Sequence, residues 1–396
     1  MTPETTPVVL SATRTPIGRY LGALSPIKAA DLGAIAIREA VARAGIDVGA
    51  VDEVIMGHVL QGGAGQAPAR QAALRAGLPG TVPAFAVNKV CGSGLKAVML
   101  GAQAIKAGDA LCVVAGGMES MSNGPHYVYG LRGGVKFGHQ QLVDGVIQDG
   151  LWCSFGDGHM GTHAEYTARK AGITREEQDR FALASHQKAI AAIEACRFAD
   201  EIVTVQIAGK KGSTVVDKDE CPRKDTSLEA LAALKPAFEA GGTVTAGNAP
   251  GMNDGASAVV VASLAFARAH GLPVLARVTA YATGGGEPKD LFFAPIVAVQ
   301  NLIAKAGTTI NDYDLIEANE AFAVQALADG RGLGWEWERV NVNGGAVALG
   351  HPIGASGTRV LTTLLYAMKQ RNATTGLATL CLGGGNAVAL SVERVS

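Results

Sequence analysis

Short apolar runs alternate with helix-period segments over the first third of the chain. VVLSA (8–12) and EVIMGHV (53–59) read as buried strands, and between them Asp31 to Ala44 sets Leu32, Ile35, Ala36 and Val41 at helical spacing. FAVNKV (85–90) leads into Cys91-Gly92-Ser93-Gly94, then a helix-period LKAVMLGAQAIKAG, and LCVVAGG (111–117) reads as a central strand. Such alternation predicts right-handed crossovers and a largely parallel α/β sheet.

From about Met118 to Gly251 the pattern breaks. Gly, His, Asp and Tyr become frequent, a helix is expected over Arg175 to Glu194, and the charged stretch KDECPRKD follows. This reads as a long insertion, and loops of that length are usually functional or separately folded. The last third returns to the first style with DLIEANEAFAVQAL, VNVNGGAVALGHPIGASGTRVLTTLLYAM and LATLCLGGGNAVALSV. GSGLKAV (92–98) and GASGTRV (354–360) hold equivalent places, as do VVAGGMES and TLCLGGGN. The chain therefore looks like a divergent internal duplication. In an α/β fold the two glycine turns would meet where active sites gather, at strand-to-helix junctions.

Composition sets the bounds. A chain of 396 residues, 48% hydrophobic and 17% charged, can bury more than one core. A formal charge of −1 gives no broad electrostatic reason to bind nucleic acid or an anionic membrane, though a local basic pocket stays open. The six Cys form no CxxC pair, which suggests reduced thiols and a cytoplasmic location. The start MTPETTPVVLSATRTP lacks signal-peptide character, and no apolar run reaches the ~20 residues of a membrane span. No nucleotide-loop, zincin or Cys/His metal spacing is present, so no metal or resident cofactor is expected.

Four residues could carry chemistry. Cys91 sits between a strand and a helix, where unpaired N–H groups and the helix dipole favour thiolate, and Gly92 and Gly94 permit close backbone approach. An inert buried Cys is the competing reading. His351, in GGAVALGHPIGASG, could take a thiol proton or be a satisfied structural His. Cys381 precedes Gly383-Gly384-Gly385, whose bare N–H groups could form an oxyanion hole, or it is a small core residue. Asn319 in EANEAFA could position a water or carbonyl, or cap the following helix.

Taken together, SATRTPIG, DEVIMGHVLQGGAGQAPARQAAL, NKVCGSGLKAVM, VVAGGMESMS, TAGNAPGMNDGASA, EANEAFA, NVNGGAVALGHPIGASG and CLGGGNA resemble the thiolases over essentially the whole chain. Within them the chain is most similar to the biosynthetic acetyl-CoA acetyltransferases. The resemblance implies duplicated mixed-sheet halves in a layered α-β-α-β-α arrangement with an inserted loop domain. The expected boundaries are 1–121 continued by about 252–273 for the first half, 122–251 for the insertion and 274–396 for the second half.

The resemblance also implies roles. Cys91 would be the acylated nucleophile, His351 its base, and Cys381 the group exchanging a proton with the α-carbon of a second acyl-CoA. Asn319 would hold a water that forms one oxyanion hole with His351, and the N–H groups of Cys91 and Gly383 the other. Coenzyme A thioesters (acetyl-CoA, acetoacetyl-CoA) and free CoA would be the substrates and products. Arg223 would lie near the nucleotide end, with Leu234, Phe238, Ala246 and position 250 along the carrier arm. His159, Met160, Ala321 and Phe322 would flank pantetheine and the acyl group. HYVYGLRGGVKFG (126–138) is similar to the loop through which short-chain members form homotetramers.

The chain departs from the family pattern at four places. Pro250 stands where Ser is expected, Leu291-Phe292-Phe293-Ala294 replaces Met-Gly-x-Gly, Ala387 replaces Gly, and Tyr166 replaces Asn. The 291–294 change leaves a longer-chain 3-ketoacyl-CoA thiolase as one alternative. A non-catalytic acyl-CoA-binding protein is the alternative of another class.

Overall fold

A computed structural model describes residues 2–209 and 212–395. Nine principal strands build one sheet: β1 (Pro7–Arg14), β2 (Glu53–Gly57), β3 (Ala84–Val87), β4 (Cys112–Ser120), β5 (Asn253–Ser263), β6 (Ala276–Gly285), β7 (Leu315–Ala318), β8 (Thr375–Leu382) and β9 (Asn386–Arg394). Their order is β7-β8-β9-β6-β1-β5-β4-β2-β3, with the short strand Gly18–Arg19 added beside β5.

The duplication is visible in that order. One half runs β1-β5-β4-β2 and the other β6-β9-β8-β7, so VVAGGMES and TLCLGGGN are equivalent strands. The halves join through only two register pairs, Val8 with Arg277 and Val9 with Ala276. The largely parallel sheet expected from strand–helix alternation is corrected to a mixed one. Only β2–β3, β2–β4 and β7–β8 are parallel. The reason is that each half closes on a return strand: β5 comes back antiparallel to β4 after the insertion, and β9 comes back antiparallel to β8 through a tight glycine turn.

Side-chain alternation along the strands sorts the core into layers. Val113, Ala115, Val259 and Val261 face inward with Ala378, Leu380, Val388 and Leu390, packing on the helices Ser93–Ala107 and Ile353–Arg371. Cys112, Val114, Ala258 and Val260 face the outer helix Ala29–Ala44, and Leu377, Ala387 and Ala389 face the outer helix Ala294–Ala306. This gives five layers, helix–sheet–helix–sheet–helix. The two inner helices touch through glycine: a Cβ on Gly94 would lie 2.7 Å from the Thr358 backbone N, and one on Gly357 would strike Leu95 N. Close contact at their N-terminal ends brings the turns before them, carrying Cys91 and His351, towards one another.

Between β4 and β5 lies the insertion, whose longest element is the helix Arg175–Glu194 expected from sequence. It starts with a reciprocal cap in which Thr174 and Glu177 satisfy each other's backbone N–H groups. Among the described residues, no helix is long and apolar enough to cross a membrane.

Candidate active site

Cys91 follows β3 and the turn Asn88–Val90. The first helical residue is Ser93, so the thiol lies just ahead of the helix rather than within its first turn. The turn is tied by Lys89 N to Ser93 Oγ (2.8 Å), Ser93 Oγ to Val90 O (2.6 Å) and Val90 N to Asn88 Oδ1 (3.0 Å). Val90 is held at φ +46°, an unusual place for a β-branched residue that costs about 1–3 kcal/mol. This conformation immediately precedes Cys91, and both residues line the cavity; no sequence signal announced it.

His351 sits between the short helix Ala346–Leu349 and the helix Ile353–Arg371. Its backbone N–H donates to Asn253 Oδ1 at 2.8 Å, and Asn253 Nδ2 donates to Gly18 O at 2.9 Å, anchoring the loop to the first half. The ring lies 2.6 Å, through Nδ1, from Ser356 Oγ, which itself sits 2.9 Å from Pro352 O. A hydroxyl has one proton, and Pro352 O can only accept it. Ser356 therefore accepts from His351 Nδ1–H, which leaves Nε2 as the basic nitrogen. Asn319 Nδ2 faces that nitrogen at 3.4 Å. Asn319 is not a helix cap: the helix after it starts at Ala323 with Phe322 at the cap position, and Asn319 is fully buried.

Cys381 ends β8, buried, with Ala387 opposite it on β9. The glycine turn that follows is sterically required, because Gly385 has φ +81° and a Cβ there would lie 2.6 Å from Gly286 O. Cys91, His351, Cys381 and Gly383 line one cavity of about 360 Å³. His159, Met160, Phe238, Ala246, Pro250, Ala321 and Phe322 line it too, so most positions singled out from the sequence converge. Arg223 and Leu234 do not line it. Arg223 is exposed with its backbone N–H on His186 Nδ1, and Leu234 is half-buried against Ala182 and Leu231. Sequence reading missed Ile147 and Leu151, which lie in no motif, and did not single out Met252 and Ile353 within TAGNAPGMNDGASA and GHPIGASG; all four give the cavity apolar lining. It also did not single out Ser356, which lies inside GHPIGASG five residues after His351.

The surroundings of the three titratable groups all favour their neutral forms. At the half-buried Cys91, desolvation by the surrounding residues pushes the pKa up to about 12 against a lowering backbone hydrogen bond, and Glu119 adds to the rise. Burial, with Arg359 as a lesser cause, pushes His351 down to about 3. Cys381 is pushed well above the usual thiol value by burial first, then by Cys91 and Asp329. All three directions favour two thiols and a neutral imidazole over a thiolate–imidazolium pair. Asn319 Oδ1 is buried with no hydrogen-bond partner among the described residues, leaving an acceptor beside His351 Nε2.

Models of the thiolase N-terminal domain and the thiolase C-terminal domain match residues 7–265 and 272–394. This chain belongs to the thiolase family. It is 58% identical over 388 residues to an acetyl-CoA acetyltransferase of Pseudomonas aeruginosa, covering 98% of this chain and 99% of that thiolase. It is 54% identical over 388 residues to an acetyl-CoA acetyltransferase of Cupriavidus necator, again over 98% and 99%. A crystal structure of the Bacillus anthracis acetyl-CoA acetyltransferase superimposes with a TM-score of 0.97 at 42% identity, covering 98% of this chain and 99% of that one. The thiolase fold expected from the motifs is therefore present over 98% of the chain, mixed sheet included.

Proposed function

We propose that this thiolase is an acetyl-CoA C-acetyltransferase that joins two acetyl-CoA into acetoacetyl-CoA and CoA, reversibly, through an acetyl-Cys91 intermediate. The observation carrying the reading is one apolar cavity holding two thiols and an imidazole whose free nitrogen is fixed by Ser356. The names of the full-length relatives support the acetyl group as the one transferred.

In the first step the Cys91 proton passes to His351 Nε2 as sulfur attacks the thioester carbonyl. The bond to CoA sulfur breaks, and His351 returns the proton to the departing CoA. In the second step Cys381 gives its proton to His351, and the resulting thiolate removes a proton from the methyl group of a second acetyl-CoA. A thiol with so high a pKa yields a strong base, which suits a carbon acid. The carbanion attacks the acetyl carbonyl, the carbon–carbon bond forms, and Cys91 leaves as thiolate and recovers the proton held on His351. Both cysteines and the imidazole end as they began. Asn319 with a water, and the N–H groups of Cys91 and Gly383, would hold the two oxyanions. The thioesters are substrates, and the reaction needs no resident cofactor.

The insertion would carry the CoA arm past Phe238 and Ala246, with Arg223 towards the nucleotide. Pro250 offers neither hydroxyl nor N–H there, so that contact is apolar. The segment around Tyr129, Leu131, Val135 and the fully exposed Phe137 would be covered in a homotetramer, and the enzyme would work in the cytoplasm.

The test separates the half-reactions. Intact mass after mixing with acetyl-CoA should show one added acetyl group on the parent and on Cys381→Ala, and none on Cys91→Ala. Cys381→Ala should nevertheless form no acetoacetyl-CoA. Labelling of Cys91→Ala at the parent level, or loss of both half-reactions in Cys381→Ala, defeats the division of roles.

A further inference from the structure

We propose that Phe292 is the wall that limits the acyl chain to a short one, an inference resting on the thiolase reaction above. Leu291 and Phe292 are both buried and both line the reaction cavity, in the same apolar cluster as Cys381 and Phe322. Any carbon added to an acyl group on Cys91 that runs beside Cys381 therefore meets this face.

The wall is braced from both sides. Inside, Phe292 meets Phe322 edge-on at 5.3 Å between ring centres, and Phe322 meets Phe238 edge-on at 6.2 Å. Phe238 in turn stacks on His159 at 4.9 Å. Moving Phe292 aside would disturb a chain of rings that also borders the carrier arm. Outside, Asp290 accepts from Tyr166 Oη at 3.1 Å and from Lys170 Nζ at 2.6 Å, while the Lys170 ammonium lies 5.2 Å from the Phe293 ring centre. The 288–293 turn is thus pinned to the helix Met160–Ala171, and the two sequence departures, Tyr166 and Leu291–Ala294, form one packed unit. A close-packed aromatic wall cannot make room cheaply, because an extra methylene forces neighbours off their rotamers.

The experiment compares CoA-dependent cleavage of acetoacetyl-CoA with that of 3-ketohexanoyl-CoA, two methylenes longer, by the parent, Phe292→Ala and Phe292→Leu. One methylene in an apolar pocket is worth roughly 10- to 200-fold in kcat/KM. The parent should prefer acetoacetyl-CoA by about 10-fold or more, and Phe292→Ala should shift the ratio towards the longer substrate by about 10-fold. Phe292→Leu, which conserves burial, should shift it the same way by less and carries the test if the alanine variant fails to fold. A parent that cleaves both thioesters equally, or an unchanged ratio in the folded variants, overturns the wall while leaving the reaction intact. A parent that cleaves neither overturns the proposed reaction and this inference with it.

Discussion

Replacing Ser356 with alanine isolates the device that keeps His351 basic at the correct nitrogen. Ser356 Oγ is 2.6 Å from His351 Nδ1, is fully buried and does not line the cavity, so its loss removes no contact with substrate. In the variant the Nδ1–H faces a methyl group at a fully buried position. Leaving a buried donor unpaired costs about 1–3 kcal/mol, and the ring can reduce that cost by moving its proton to Nε2 if the Asn319 amide turns over to present Oδ1 in place of the Nδ2 that now faces it. Either route weakens the base. At about 1.4 kcal/mol per factor of ten, acetylation of Cys91 should slow by roughly 10- to 100-fold. The assay is rapid-quench intact mass after mixing with acetyl-CoA, with the saturation curve read alongside the rate. The maximal rate should fall while the half-saturating concentration stays within about threefold, as expected when uniform binding is untouched. An unchanged rate in a folded variant, or a rise in half-saturation alone, would refute the tautomer argument.

Two further expectations concern protons. With burial holding Cys91 at about 12 and His351 at about 3, neither group titrates near neutrality in the free enzyme. The kcat/KM for Cys91 acetylation should then be flat from about pH 5 to about pH 9, whereas a sigmoid rise centred near neutrality would show that the thiol or the imidazole titrates there and would overturn this reading. Asp329 is fully buried, accepts Gln325 Nε2 at 2.5 Å, and is pushed well above the usual carboxylate value by that burial. A raised carboxyl binds more protons folded than unfolded, so its contribution is intact below its unfolded value near pH ~4 and is lost as pH rises. Asp329→Asn should therefore gain melting temperature over the parent at pH 8 and gain less at pH 5; equal differences at both values would contradict this.

Much of the molecule was legible in the order of residues. The helix Arg175–Glu194 and the strands β1, β2 and β4 were expected from residue patterns within single segments, because those signals are local. Cys91, His351, Asn319 and Cys381 stand out because each sits in a glycine-rich or small-residue turn that an ordinary core has no reason to keep. Strand direction was not legible. A strand's apolar run is the same whether its neighbour runs with it or against it, and only the return of β5 and β9 settled the matter.

Protonation was likewise decided by the tertiary structure. Sequence placed Cys91 near a helix start and implied a thiolate, whereas the surroundings that the fold packs around it push the thiol up, chiefly by desolvation. The cavity wall at Phe292, the serine that orients His351 and the strained Val90 each depend on residues far apart in the chain or on one dihedral angle. By itself the sequence determined which residues could react and on which scaffold. Packing decided which proton sits where and how much room the acyl group has, because pKa and volume belong to surroundings rather than to the residue.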